Sequence, residues 1–592
     1  MTVAAAEPRV SEDGRTAAIP SARRWTSRVP GAAAGWAVAV AGVASLLTAC
    51  VILSARKWMW YDEVLTSLLV NDPSWRHMMT AITTGVEAAP PLYHFLARAW
   101  IAVFGGTPLS LRLFTATGLS AALLILWSAL SRVFPWRAVA VGVLAVFCGS
   151  NLFFDQIAEV RYYGLLTALV AVALLLCHRV MMSDAPPRRL LVANSAVQAC
   201  LVLTHVYGGL YSAALLGALV VWDVARGVVA PRRWVAYPLG WLVLVPWLGV
   251  YQAQRGSVVR SWMTVPNLGD LRDAYRFQMA TEVVPFALIA AVLLAAAASA
   301  LGSARRPASV GAATSAGVHA DGRGAMLVIA GGLLVVPVMS FVVSHLVVPI
   351  FFPRYLIAVA YAPAILIAYV VTGVSEGGRG TAAGAQVSDV VRRVARPIVA
   401  VGWTIVFAVL LIWPVSASRR WPRTGRPGEA IERLRVDGAP VTSVPIVIEN
   451  AFDYLPIMAY TTLPQSAYTF VRDSAVALAP NSHHREMLSY ALMTLYRRLG
   501  YTGGHIEDVD RFLCAHDRFL VVDSPEANWY DRRVAHDSAF VRTELGRTDP
   551  TPSTPGAVIW LVRRVPGASP VVCGRPAQST TGATAAGSRG PV

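Results

Sequence analysis

Apolar residues in this chain gather into long runs, most of roughly 18 to 25 residues, the length an α-helix needs to cross a hydrocarbon core. About eleven such runs are predicted as spans, at 31 to 54, 108 to 130, 138 to 154, 161 to 180, 190 to 204, 207 to 223, 234 to 251, 284 to 301, 325 to 345, 353 to 373 and 397 to 416. The polar intervals between them are unequal. A long one, 55 to 107, follows the first run, and the last run leads into different material. From about 425 to 565, strand-like runs at Val444 to Glu449, Arg518 to Asp523 and Ala557 to Val562 alternate with helical stretches such as Glu486 to Leu499. The expected fold is therefore a polytopic α-helical membrane domain over 29–416, followed by a small α/β domain over 417–565. The ends, 1–28 and 566–592, are rich in Ala, Gly, Ser, Thr and Pro and are expected to be disordered. The first apolar run begins near Gly31 and continues through Leu53, too long for the core of a cleavable signal.

Composition agrees with a membrane solvent. Only 14% of residues are charged against 55% hydrophobic, and an ordinary soluble enzyme carries about 25% charged residues. The net charge of +17 would suit a nucleic-acid binder, but its placement does not. Arg9, Arg15, Arg23, Arg24 and Arg28 precede the first run, and arginine-bearing loops recur after every second run, at Arg132/Arg137, Arg179/Arg188/Arg189, Arg226/Arg232/Arg233, Arg305/Arg306/Arg323 and Arg379/Arg392/Arg393/Arg396. One orientation, N-terminus cytoplasmic, puts all of them inside. It places the chain in the cell (inner) membrane among lipids, exports the 55–107 loop and the α/β domain, and leaves no role for nucleic acid. Cys50, Cys148, Cys177 and Cys200 lie in or beside apolar runs and read as small buried hydrophobes. Cys514 and Cys573 lie in the exported tail, a compartment that permits a disulfide between them.

Chemistry concentrates at the exported edge. The stretch Trp58-Met59-Trp60-Tyr61-Asp62-Glu63-Val64-Leu65-Thr66-Ser67 puts two adjacent carboxylates at the membrane surface. A solvated loop between interfacial aromatics is one reading; a general base beside the bilayer, where partial desolvation tunes a carboxylate, is the other. Arg161 and Arg354 stand at exported span ends, placed either to grip a phosphate bidentately or to snorkel to headgroups. Arg112 can do the same or anchor the loop through a carboxylate. Glu159 and Asp155 are candidate partners for Arg161, His205 sits alone in a short turn, and Trp75, Arg76 and His77 read as an interfacial helix.

The acidic pair, then Ala89-Pro90-Pro91-Leu92-Tyr93-His94, Phe104-Gly105-Gly106-Thr107-Pro108 leading to Leu111-Arg112-Leu113, Ile157-Ala158-Glu159-Val160-Arg161-Tyr162-Tyr163, Thr204-His205-Val206-Tyr207-Gly208 and Phe352-Pro353-Arg354-Tyr355-Leu356 occur in order over residues 30 to 375. Together they resemble the GT-C glycosyltransferases of the family-39 type, the group of protein mannosyltransferases and aminoarabinose transferases. The resemblance implies an inverting transfer from a polyprenyl-phosphate sugar to a glycan, lipid or protein acceptor of the envelope. It puts the base on Asp62 with Glu63 assisting, the donor phosphate on Arg161, Tyr162, Arg354, Tyr355 and His205, and support on Arg112 and Tyr93. Such a donor needs no nucleotide site, and the sequence shows no dinucleotide or P-loop fingerprint and no acidic metal triad. No cofactor is identified, and dependence on a divalent ion is left open. The tail lacks the sugar-binding trefoil of the protein mannosyltransferases, so the acceptor is open too; Trp529 and Tyr530 can stack on sugars or pack a core. Two other classes compete: a multi-span lipid or glycan transporter, which predicts ionisable groups at mid-span in two matching halves, and a non-catalytic assembly protein on the same scaffold.

Overall fold

The computed structural model describes residues 32–87, 89–257, 263–277, 283–302, 312–380, 389–479, 482, 484–501, 504–524, 529–550 and 556–568. Among these, eight helices are long and apolar enough to cross a membrane: Ala32–Ser54 (α1), Pro108–Leu130, Tyr163–Met181, Val206–Ala225, Pro231–Gln252, Asp321–Leu346, Pro353–Glu376 and Arg393–Arg420. The protein is a multi-pass membrane protein with a small α/β domain. The other three predicted spans are helical but shorter or less apolar. The run 138 to 154 breaks into Trp136–Phe147 and Asn151–Gln156, because Ser150 turns out of the first helix and caps the second by accepting from the Leu152 N–H. The run 190 to 204 is the 15-residue helix Arg188–Val202, and 284 to 301 contributes the shorter apolar stretch Val284–Ser299. The disorder expected at 1–28, and all but the first few residues of 566–592, lie outside the described residues.

Where lipid is the solvent, helices associate through close packing of small residues. One such close contact joins Pro108–Leu130 to Tyr163–Met181. A Cβ on Gly164 would stand 2.1 Å from the Thr115 carbonyl oxygen, and one on Gly118 would stand 2.5 Å from the Gly164 backbone. Nothing larger than glycine fits either position, and the contact brings Thr115 close enough for its hydroxyl to donate to the Arg161 carbonyl at 3.0 Å. Packing between these two helices therefore sets the height of Arg161.

The α/β domain is built on one six-stranded sheet: Ile446–Ile448 (β1), Tyr468–Arg472 (β2), His505–Asp508 (β3), Arg518–Asp523 (β4), Phe540–Arg547 (β5) and Val558–Arg564 (β6), in the order β3-β2-β1-β4-β6-β5. The first four strands are parallel and β6 and β5 close one edge antiparallel. The central β1 is buried on both faces throughout, the continuous apolar run a covered parallel strand requires. Sequence reading found β1, β4 and β6 but not β2, β3 or β5. Trp529 and Tyr530 are fully buried within this domain, where they cannot reach a sugar. Cys514 is disulfide-bonded, and its expected partner Cys573 lies outside the described residues.

The long loop after α1 folds into three short helices, Tyr61–Val70 (α2), Trp75–Thr84 (α3) and Leu92–Phe104, of which the first two carry the α/β domain. Tyr61 stacks on Phe452 with ring centres 4.1 Å apart, and the Met59 N–H donates to the Tyr460 hydroxyl at 3.2 Å. Farther along, Tyr501 donates to Asp72 at 2.6 Å; His77 bridges Asp72 and the Leu499 carbonyl at 2.5 and 2.8 Å. The 157–162 turn, His205 and the segment before Pro353 gather at this same end of the bundle, and among the described residues the segments carrying Arg226 and Arg323 meet at the other, where Arg323 donates to the Val133 carbonyl at 3.1 Å and Arg226 pairs with Asp321 at 3.5 Å. There Arg323 grips Glu376 bidentately and Arg233 meets Asp223.

Candidate active site

The adjacent acids of α2 part company because neighbouring helical positions point about 100° apart. Glu63 turns into the protein and is completely buried. Its oxygens accept from Arg112 Nε and Nη2, both at 2.8 Å, and from the Val160 N–H at 3.0 Å, while Arg112 Nη1 donates to the Lys57 carbonyl at 2.9 Å. This group ties the start of the outer loop, the first turn of Pro108–Leu130 and the 157–162 turn into one piece. Glu63 is thus taken up by these structural contacts, and Arg112 anchors the loop through a carboxylate. Asp62 faces the other way, retains 13% side-chain exposure, and makes one ion pair, to Arg354 Nη2 at 2.9 Å.

Arg354 opens an eight-residue 3₁₀ segment, Pro353–Ala360. Such segments are uncommon at this length and need outside support. Two tyrosines of Val206–Ala225 supply it. Tyr207 donates to the Ile350 carbonyl at 2.9 Å; Tyr211 donates to the Tyr355 carbonyl at 2.9 Å and accepts from the Ala358 N–H at 3.2 Å. Ser344 accepts from the N–H groups of Ile350 and Phe351 at 3.0 Å. The Arg354 guanidinium lies over the rings of Phe352, Trp60 and Tyr355 at 4.8, 5.4 and 5.8 Å. Trp60 is itself held by donating to Glu159 at 2.5 Å, whose second oxygen takes Lys57 at 2.5 Å.

Arg161 has a different carboxylate from either expected one. Its Nη1 donates to Glu87 at 2.8 Å and to the Thr66 hydroxyl at 3.0 Å, and His94 occupies the other Glu87 oxygen at 2.8 Å. Glu159 is taken by Lys57 and Trp60, so its pairing with Arg161 is corrected, and Asp155 does not pair with Arg161 either. Burial alone would raise the Glu87 carboxyl, but Arg161 and then His94 outweigh it and hold it at about 2. His205 stacks on Tyr162 at 4.3 Å and uses Nδ1 to cap its own helix from the Tyr207 N–H at 3.3 Å. Burial, helped by Arg161, pushes this imidazole down to about 3, so it is neutral at physiological pH.

Asp62, Arg161, Tyr162, His205, Arg354 and Tyr355 therefore converge on one place, with Tyr93 edge-on to Tyr162 at 6.2 Å. Glu87, His94, Thr66 and Lys57 belong to the same place; Thr66 and His94 entered the sequence reading only as members of motifs, and Glu87 and Lys57 were not singled out as site residues. The one local sign of Glu87 was a lone acid two residues before Ala89-Pro90-Pro91 with a histidine seven residues on. Two donors stand out. Among the described residues, Arg161 Nε and Arg354 Nε are buried with no hydrogen-bond partner, as is the Tyr163 hydroxyl. A buried guanidinium N–H left unmatched costs on the order of 1–3 kcal/mol, so such donors call for an acceptor from outside. Among the described residues no group of three or more His, Cys, Asp or Glu is arranged to hold a metal ion.

No protein-family model matches the chain, and no curated protein does. Among solved structures it is similar to ArnT from Cupriavidus metallidurans in the apo state, at 15% identity and TM-score 0.47 over 90% of this chain and 98% of that one. It is similar to the same protein bound to undecaprenyl phosphate, at 14% identity and TM-score 0.48 over the same shares. A mutant of the arabinofuranosyltransferase AftD from Mycobacteria is matched at 15% identity and TM-score 0.42, over 91% of this chain and 42% of that one. The likeness is one of fold. The chemistry rests on the side chains just described.

Proposed function

We propose that this protein is a membrane glycosyltransferase that takes a sugar from a polyprenyl-phosphate donor and passes it, with inversion, to an acceptor hydroxyl on the extracytoplasmic face of the cell membrane. The observation that carries this reading is the pair of buried arginines, each with an unmatched Nε, beside the partly exposed Asp62 at the rim of the membrane domain. An in-line displacement at an anomeric carbon needs a base for the acceptor proton and neutralisation of the leaving phosphate. Asp62 is the base. The phosphate takes the donors of Arg354 and Arg161, which detaches Asp62 from Arg354 Nη2 and turns its carboxylate toward the acceptor. The acceptor oxygen bonds to the anomeric carbon as the bond to the phosphate oxygen breaks; the proton passes to Asp62, and the polyprenyl phosphate leaves with its added charge matched by the guanidinium groups. Neutral His205 and Tyr355 border that phosphate, and Glu63 fixes the base through Arg112.

A transporter would carry its ionisable groups at mid-span. Here those groups sit at one end of the bundle, which favours surface chemistry. The test is binding. Undecaprenyl phosphate should bind the wild-type protein in nanodiscs and bind Arg354→Ala and Arg161→Ala at least tenfold more weakly, since each loses a charge-assisted contact worth about 1.5–3 kcal/mol. Equal binding by all three proteins would sink the phosphate assignment.

A further inference from the structure

The strand order of the α/β domain has a consequence outside the membrane. Successive parallel strands run β1, β2, β3 to one side, and the chain then returns to place β4 on the other side of β1. The crevice beyond the carboxyl ends of two strands that diverge in this way is where open α/β sheets receive ligands. Here that end is turned toward the first outer loop. Val522 at the end of β4 and Phe452, which follows β1, line a cavity, partly open to solvent, that is also lined by Trp58 and Trp60 of that loop. It also adjoins the base, for Trp60 is the ring over which Arg354 lies while pairing with Asp62.

We infer that this cavity binds the acceptor, as a run of neutral sugar residues whose terminal hydroxyl is presented to Asp62; this rests on the transferase reading above. Three features select that ligand class. Trp58 is 39% exposed on the cavity wall, and its indole is fixed in place by donating to the Thr424 carbonyl at 3.2 Å and by the edge of Tyr460 at 4.8 Å, which makes it a rigid stacking platform. The lining cations, Lys57 and Arg426, are already bound to Glu159 and Glu432, so the wall offers them to no anionic polymer. Asp549 and the Thr424 hydroxyl lie along the rim as hydrogen-bonding groups a polyol uses, and the Thr548 hydroxyl, which accepts from the Ala557 N–H at 2.8 Å, keeps its proton to donate.

The test uses the full-length protein in nanodiscs and measures binding of maltohexaose, mannohexaose and xylohexaose, with hexagalacturonate as the anionic control and undecaprenyl phosphate as the donor-side probe. At least one neutral hexasaccharide should bind the wild type. Trp58→Ala should weaken it about tenfold, the loss of one stacking contact of about 1.4 kcal/mol, with partial rescue by Trp58→Phe. Ala430→Trp, which fills the cavity without removing a contact, should abolish it. Undecaprenyl phosphate should bind all these variants as it binds the wild type, which also reports that they are folded. Binding of no neutral hexasaccharide, preference for hexagalacturonate, or indifference to both Trp58→Ala and Ala430→Trp overturns the inference. Failure of the wild type to bind undecaprenyl phosphate counts instead against the transferase reading, and the hexasaccharides still judge the cavity.

Discussion

The group Glu63–Arg112 makes a quantitative prediction about how the base is held. Both side chains are buried, at 0% and 1% exposure, and they form two hydrogen bonds of 2.8 Å to each other. Removing one partner strands the other charge away from water, at a cost of about 3–5 kcal/mol. Glu63→Met and Arg112→Met should each lose that much stability. The double replacement strands no charge. It leaves the Val160 N–H and the Lys57 carbonyl without their side-chain partners, at about 1–3 kcal/mol each. The double variant is therefore expected to lose about 2–6 kcal/mol, short of the sum of the two single losses, about 6–10, that additive effects would give. Unfolding of all four proteins in matched mixed micelles, followed by intrinsic fluorescence, gives the cycle, and sugar transfer in the same preparations shows whether Asp62 has moved. Additive losses, or single variants as stable as the wild type, would refute the claim that this pair is a buried clamp.

Other expectations follow from the same site. His205 is held near 3 against an ordinary 6.5, so the unfolded chain takes up a proton the folded protein refuses; stability should fall as pH drops from about 6.5 toward 3, and His205→Gln should flatten that limb. Glu87, held at about 2 against 4.5, contributes stability that is present above 4.5 and lost as pH falls from there toward 2, and Glu87→Gln should remove that dependence, as melts across pH would show. Tyr501→Phe removes the hydroxyl that reaches Asp72 and should loosen the α/β domain by about 1.5–3 kcal/mol, seen as faster hydrogen exchange in Trp75–Thr84 with the bundle unchanged.

The membrane helices were legible because span length is imposed by the hydrocarbon core, a constraint carried by sequence composition alone. The break at Ser150 was not, since one capping serine interrupts an otherwise apolar run. In the α/β domain, β1 is apolar throughout and β4 is apolar between Arg518 and Asp523, but β5 is largely exposed and its sequence Phe-Val-Arg-Thr-Glu-Leu-Gly-Arg carries little apolar signal. At the site, Asp62, Arg161 and Arg354 could be picked out because charges at span edges are conspicuous. Their pairing could not. Nearness in sequence offers Glu159 and Asp155 as candidate partners for Arg161, yet the chain turns between Glu159 and Arg161, and Glu159 faces Lys57 from about a hundred residues earlier while Arg161 faces Glu87. Likewise, the pairing of Glu63 with Arg112 depended on which side of α2 faced Pro108–Leu130, which sequence spacing alone does not give.

The central claim is tested most directly by following a labelled sugar from a polyprenyl-phosphate donor into envelope glycans, in membranes carrying wild type, Asp62→Asn or Arg354→Ala at matched, folded levels. The account predicts transfer by the wild type, a loss of on the order of a hundredfold or more for Asp62→Asn, as removal of a general base entails, and a comparable loss for Arg354→Ala. Normal transfer by Asp62→Asn, or no consumption of any donor by the wild type, would contradict it.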